Sequence, residues 1–240
     1  MELISNVYLQ DCIGGLKQYP NNYFDLAIVD PPYGINATNM QMGTTKTRKK
    51  NGNHSISTAT KIKGRLNSGS GKLKNRLLNK SIIDWDNKTP DIEYFNELFR
   101  VSKNQIIWGG NYFNLPPTRG FIIWNKKQPW ENFSQAEFAW TSFDCPSKLF
   151  TLSNRGGANT EIKIHPTQKP IELHDFCFSK FTTKGMLVLD THLGSGSSRI
   201  SAFKNDLNFI GYETNEVYFY DQQKRFSNFK NQLKINFNEY

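Results

Sequence analysis

A chain of 240 residues can bury one substantial hydrophobic core but not two large ones, so a single domain carrying an insertion is the natural expectation. Its 30 Lys and Arg against 21 Asp and Glu leave a formal charge of +9, with 14% aromatic residues, a balance that suits a protein facing a polyanion as well as an ordinary basic one. A membrane-crossing helix is excluded by the lack of any apolar run of about 18 residues. Met1-Glu2-Leu3-Ile4-Ser5-Asn6 is no secretion signal. Cys12, Cys145 and Cys177 are odd in number and widely spaced, which argues against a disulfide framework or a cysteine-rich zinc site and for a reduced cytoplasmic setting.

The chain opens with a short strand over 6–9 and a helical stretch to about Leu16. Residues 25–29 are an apolar burst that ends in Asp30, the pattern of a buried parallel strand with an acid at its carboxyl end. From 31 to 83 there is then no Asp or Glu, while eleven Lys and Arg occur, from Lys46 to Lys80. Eleven exceeds the net charge of the whole protein, so the remainder is close to neutral. With few apolar residues to anchor it, a segment of this kind is solvated and unfolded by itself. Its place directly after the strand at Asp30 suits a positive flap that orders on nucleic acid.

Order returns with a helix over 90–101 and strands over 105–108, 121–124 and 136–140, the first two separated by the loop Gly109-Gly110-Asn111-Tyr112. Residues 142–164 have little periodicity. A helix over 169–181 is opened by Pro170. A buried strand over 186–189 closes on Asp190 and feeds Leu193-Gly194-Ser195-Gly196-Ser197-Ser198, then a helix to about Lys204. A strand over 208–212 ends in Glu213, and a long amphipathic helix covers about 216–233. Strands alternating with helices at these lengths predict a three-layer α/β sandwich with a mostly parallel sheet.

Two segments share one design, a buried strand followed by an acid and a tight turn, and ligands of such sheets bind at the carboxyl ends of strands. In the first, Gly194 and Gly196 let backbone approach a ligand, and Glu213, ending the next strand, can accept both hydrogen bonds of a ribose diol. That spacing fits a dinucleotide or an adenosyl cofactor, but the third glycine of the dinucleotide fingerprint is missing, which weakens an oxidoreductase reading. In the second, Asp30-Pro31-Pro32-Tyr33-Gly34, two prolines fix an extended backbone and remove two donors. The Asp30 carboxylate and the Pro31 carbonyl are left as acceptors suited to the two hydrogens of an exocyclic amine, and Tyr33 offers a face for stacking. A base so held must first leave its helix. A proline-rich strand exit and glycines in a strand-to-helix turn also serve purely structural ends.

The order of these motifs resembles the amino-methyltransferases of DNA, in the β arrangement where the catalytic motif precedes the cofactor-binding motif. Asp30–Tyr33 matches the family's catalytic tetrapeptide. His165-Pro166-Thr167-Gln168-Lys169-Pro170 matches the segment that encloses the methionine part of the cofactor. Asp190 with Leu193–Ser197 matches the glycine-rich loop, Gly211-Tyr212-Glu213 the ribose-binding strand end, and Asp11 an acid near the cofactor adenine. The resemblance implies a Rossmann-like methyltransferase fold, S-adenosylmethionine as cofactor and DNA as partner; no metal is expected, because the four histidines, at 54, 165, 174 and 192, have no ligand spacing. It implies catalytic roles for Asp30, Pro31, Pro32 and Tyr33, and cofactor contacts for Asp11, His165, Thr167, Lys169, Asp190, His192, Gly194, Ser195, Gly196, Ser197 and Glu213. Thr191 and His192 stand where the family commonly has Pro and Phe. The aspartate form of the tetrapeptide is the usual adenine form and a serine form is common for cytosine, so N6 of adenine is the expected target, with cytosine N4, RNA adenine and a non-catalytic nucleic-acid binder as alternatives. One domain over 1–240 is expected, with a basic insertion at 36–83 and a target-recognition region at 111–163, where Asn111, Trp130, Phe138, Trp140 and Arg155 are candidates. A cognate restriction endonuclease, and a monomer against a homodimer, stay open.

Overall fold

The apolar runs Leu26–Val29 and Gln105–Trp108 are buried at every position, the signature of strands covered on both faces, and they form the centre of the sheet. The computed structural model describes residues 3–37, 46–48, 54–56, 84–128, 134–153 and 163–237. In chain order the elements are β1 (Ser5–Leu9), α1 (Cys12–Leu16), β2 (Leu26–Val29), β3 (Lys46–Arg48), β4 (His54–Ile56), α2 (Ile92–Val101), β5 (Gln105–Trp108), β6 (Phe121–Asn125), β7 (Ala136–Thr141), β8 (Lys148–Thr151), α3 (Ile171–Phe181), β9 (Leu187–Asp190), α4 (Ser197–Lys204), β10 (Asn208–Glu213) and α5 (Glu216–Phe237). A 3-10 turn, Gly110–Tyr112, follows β5. Most of the basic segment, together with Trp130 and Arg155, lies outside the described residues, and β3 pairs with β4, antiparallel.

The main sheet runs β1-β10-β9-β2-β5-β7-β6-β8. Its first five strands are parallel. β7 pairs antiparallel with both β5 and β6, and β8 joins β6 in parallel. Side chains alternate between the faces with period two. Leu26, Ile28, Ile106, Trp108, Val188 and Phe209 pack with Leu173, Cys177 and Phe178 of α3 and Ala202 of α4. Ala27, Val29, Ile107, Leu189 and Ile210 pack on the other side with Leu16 of α1 and Tyr94, Leu98 and Val101 of α2. The expected three-layer α/β sandwich with a mostly parallel sheet is therefore present.

Two expectations change. The stretch 142–164 contains a strand, β8, whose alternating burial is that of a sheet edge; its inward Phe150 packs on Phe176 of α3. Four residues with one covered face leave too short a pattern to read. Pro170 caps α3 in an extended conformation (φ −62°, ψ 147°) rather than forming its first turn. That keeps Lys169 outside the helix, just before its cap.

No described helix is long and apolar enough to cross a membrane.

Candidate active site

Because β1, β10, β9, β2 and β5 are parallel, their carboxyl ends share one edge, and Glu213, Asp190, Asp30 and Trp108 close four of them in sheet order, with Asp11 just beyond β1. Sequence spacing alone gives each acid a strand end; the sheet order makes them neighbours.

Asp30 is one end of a line of charge. Its Oδ1 accepts the Tyr33 hydroxyl and its Oδ2 pairs with the Lys169 ammonium. Lys169 Nζ also stands 3.2 Å from Glu137 Oε2, whose other oxygen pairs with Lys126. These groups meet because they share a face. Asp30 continues the Leu26–Ile28 side of β2, Trp108 lies on the same side of β5, and Glu137 on the side of Ala139 in β7, all toward α3, before which Lys169 sits. Lys169 Nζ lies 5.4 Å from the Trp108 ring centre and 5.9 Å from that of Tyr33. Burial works against charge on Lys169, but Asp30 and Glu137 outweigh it and hold the amine above its ordinary range. For Glu137, burial is likewise outweighed by Lys169 and Lys126, and its carboxyl is lowered.

The tetrapeptide itself is held from a distance. Asp86, 2% exposed, accepts the backbone N–H of Tyr33 (2.6 Å) and Gly34 (2.9 Å) at Oδ1 and that of Ala37 (2.9 Å) at Oδ2. Pro31 is buried and Pro32 half-buried. The Tyr33 ring abuts Gly109, where an added Cβ would come within 2.1 Å of it and where φ is +68°; both demands are met by glycine alone. Its stacking face is taken by Tyr112, with ring centres 4.8 Å apart and 13° between planes. Burial, then the charges of Asp30 and Glu137, push the Tyr33 phenol well above its usual range.

The other half of the edge is organised by short-range capping. Asp190 accepts the N–H of His192 (3.0 Å) and the hydroxyl of Ser198 (2.5 Å), and burial still raises it to about 7. Glu213 accepts the N–H of Gly194 at Oε2 and of Asn215 at Oε1, each at 2.8 Å, and burial raises it despite these bonds. Gly194 and Gly196 are left-handed, φ +51° and +71°. Ser197 donates to the Lys169 carbonyl (2.7 Å), and Arg225 of α5 donates to the Ser195 carbonyl (2.7 Å), so the loop is tied to both the 163–170 turn and the last helix. Asp11 is exposed and spends its carboxylate on the N–H groups of Ile13 and Gly14.

His165 packs its ring against Tyr218 (4.4 Å) and Trp85 (5.3 Å), lies beside Gly194, and is lowered to about 3 by burial and the Lys169 charge. Thr167 is exposed and faces only its own turn, its N–H and hydroxyl within 3.3 and 3.2 Å of His165 Nδ1. His192 sets its ring edge-on to Tyr94 at 5.3 Å and its Nδ1 2.9 Å from the Thr191 hydroxyl; burial lowers it to about 4, with Asp11 opposing. In the 111–163 region Asn111 is exposed. Trp140 is buried against Phe99, and Phe138 packs on Phe121, so both aromatics serve the core.

Sequence reading missed Asp86, Glu137, Lys126 and Arg225. Two left a trace: Asp84 and Asp86 are the first acids after the long acid-free run, and Glu137 is a lone acid in an otherwise apolar strand.

Comparison with known proteins agrees with this layout. A family model described as DNA methylase, covering N6 and N4 methyltransferases, matches residues 24–224. The chain is 24% identical to Type II methyltransferase M2.MboI of Moraxella bovis, over 92% of this chain and 86% of that protein. Among solved structures, the M1.HpyAVI–SAM complex is similar at TM-score 0.51 and 20% identity, covering 92% of this chain and 98% of the other. PvuII DNA methyltransferase, cytosine-N4-specific, is similar at TM-score 0.52 and 15% identity, covering 96% and 93%. The shared fold is that of these methyltransferases, and the chain belongs to the N6/N4 DNA methylase family.

Proposed function

We propose that this protein transfers the methyl group of S-adenosylmethionine to the N6 amino group of adenine in DNA. The observation that carries the reading is an aspartate at the Asp30 position of the tetrapeptide, with its carboxylate at the carboxyl edge of the sheet beside the glycine-rich loop.

The cofactor end fits an adenosyl group. The Glu213 oxygens accept the N–H groups of Gly194 and Asn215, and a carboxylate's several lone pairs leave capacity for a ribose diol. Asp11 and Gly14 are exposed, and a Cβ added at Gly14 would meet nothing within 4 Å, so the surface beside Asp11 is open. Gly194–Ser197 and His165 border the same cradle. Bound there, S-adenosylmethionine supplies an electrophilic methyl carbon.

The chain's own contribution is placement. Asp30 and the Pro31 carbonyl accept the two amine hydrogens, which orients the nitrogen lone pair out of conjugation with the ring. Asp30 is also placed to take the proton that the amine gives up. Acceptors fixed in advance in a partly dry site account for most of the acceleration such a protein needs. No covalent intermediate is required, since the amine attacks the methyl carbon directly; burial also pushes the Cys12 and Cys177 thiols well above their ordinary range. The eleven basic residues of the insertion and the 111–163 region are assigned to DNA contact, which makes binding strongly salt-dependent.

Labelled S-adenosylmethionine and DNA, followed by digestion to nucleosides, tests the reading. N6-methyladenine is expected, and Asp30→Ala should reduce transfer on the order of 1,000-fold. N4-methylcytosine as the product would move the target to cytosine, as in the PvuII enzyme. Undiminished transfer by Asp30→Ala would overturn the mechanism.

A further inference from the structure

Lys126, Glu137, Lys169 and Asp30 form an alternating row of four charges. Both lysine side chains are 6% exposed, Glu137 23% and Asp30 25%. A buried ammonium without a partner is strongly disfavoured, and these charges balance each other, two against two. The row is not evenly shared. Lys169 is tight against Asp30 and 3.4 Å from the Tyr33 hydroxyl. Glu137 Oε2, 3.2 Å from the same ammonium, is buried and receives no well-directed hydrogen bond from any described residue.

This arrangement puts competitors on the acceptor that the reaction uses: each Asp30 oxygen keeps a second lone pair, but an incoming N–H would share it with Tyr33 or with the Lys169 ammonium. Methyl transfer to an amine, the reading on which the inference rests, needs an Asp30 oxygen for the incoming N–H. In the protein alone Oδ1 holds Tyr33 and Oδ2 holds Lys169. Driving Lys169 off Asp30 with nowhere to go would strand a buried charge. Glu137 removes that penalty, since its underused oxygen is already in reach and Lys126 keeps it ionised.

We propose that Glu137 is a positioning residue: it takes over the Lys169 ammonium as the target amine arrives, which frees Asp30 Oδ2 to hold that amine. Glu137 acts through Lys169 and touches no reacting atom.

The experiment uses the full chain, S-adenosylmethionine and substrate DNA. Wild type and Asp30→Ala are assayed first, so that failure of the methylation reading is seen before Glu137 is tested. Glu137→Gln is expected to lower kcat about tenfold, with S-adenosylhomocysteine affinity by calorimetry and KM for the cofactor within about twofold of wild type. Glu137→Asp should recover part of the loss. The deciding variant is Glu137→Gln with Lys169→Met, which removes the competing ammonium and should be faster than Glu137→Gln alone. Wild-type kcat in Glu137→Gln, or a double variant slower than the single one, overturns the hand-over. If Glu137→Gln does not fold, as judged by thermal melting, Glu137→Asp carries the test. It should lose about threefold in kcat with cofactor affinity intact, and an unchanged kcat overturns the proposal.

Discussion

The two halves of the sheet's carboxyl edge are held by different means. Around β9, β10 and β1, each carboxylate binds backbone or hydroxyl groups close in the chain or on the next strand. Asp190 reaches His192 and Ser198, Glu213 reaches Gly194 and Asn215, and Asp11 reaches Ile13 and Gly14. Around β2, β5 and β7, the tetrapeptide depends on residues 53 to 139 positions away: Asp86 on its backbone, Lys169 on Asp30 and Glu137 behind Lys169. A site built on local caps tolerates small shifts between elements. A site built on a buried chain of side chains does not, because loss of one member leaves the next uncompensated. The cofactor half should therefore respond to substitution in affinity, and the catalytic half in kcat and stability.

Asp86→Ala should give the largest effect. It removes three hydrogen bonds from a buried carboxylate to Tyr33, Gly34 and Ala37, and a loss on the order of 3 kcal/mol is expected in urea unfolding. Cofactor affinity should stay near wild type, and a large fall in it instead would break the division between the halves.

Acid should come next. His165 and His174 are lowered to about 3 and His192 to about 4, in each case chiefly by burial. Below the unfolded histidine range, near 6.5, the unfolded chain binds protons that the native protein refuses, so their contribution falls as pH falls from there toward 3 to 4. Asp190, raised to about 7 by burial, acts oppositely, because the native state keeps a proton that the unfolded carboxylate has released. Glu213, also raised by burial, acts with Asp190, so three histidines against two carboxyls leave a net loss of at most about 2 kcal/mol between pH 7.5 and 5.5, readable from urea midpoints at the two pH values. A midpoint that rises at pH 5.5 would mean that the histidines titrate normally and that Asp190 and Glu213 alone set the dependence.

Glu213→Gln puts an amide donor where the carboxylate now accepts N–H groups from two directions. A roughly tenfold weaker affinity for S-adenosylhomocysteine is expected, about 1.4 kcal/mol, with kcat at saturation preserved. A loss of kcat with affinity intact would place Glu213 with the catalytic half. Thr167→Ala should be smallest, within about 0.5 kcal/mol by either affinity or melting, since this exposed side chain faces only its own turn. A large loss of affinity would show that Thr167 reaches the bound cofactor.

The amino-acid sequence by itself determined what rests on short-range chemistry. Buried apolar runs ending in Asp30 and Asp190 marked the central strands, and the mostly parallel α/β sandwich followed from their alternation with helices. The tetrapeptide and the glycine loop marked the sheet edge on which the proposed site is built. An edge strand as short as β8 carried too little pattern to read.

Tertiary structure alone decided which side chains meet. Lys169, read from its motif as a cofactor residue, has its carbonyl on Ser197 and its ammonium on Asp30, because Pro170 caps α3 instead of entering it. Tyr33 faces Tyr112 and Gly109 because β5 lies beside β2. Glu137 becomes part of the site because β7 runs antiparallel, which brings its first residues, rather than its last, to the carboxyl edge. Strand order and direction arise from long-range pairing, and spacing along one chain does not encode them.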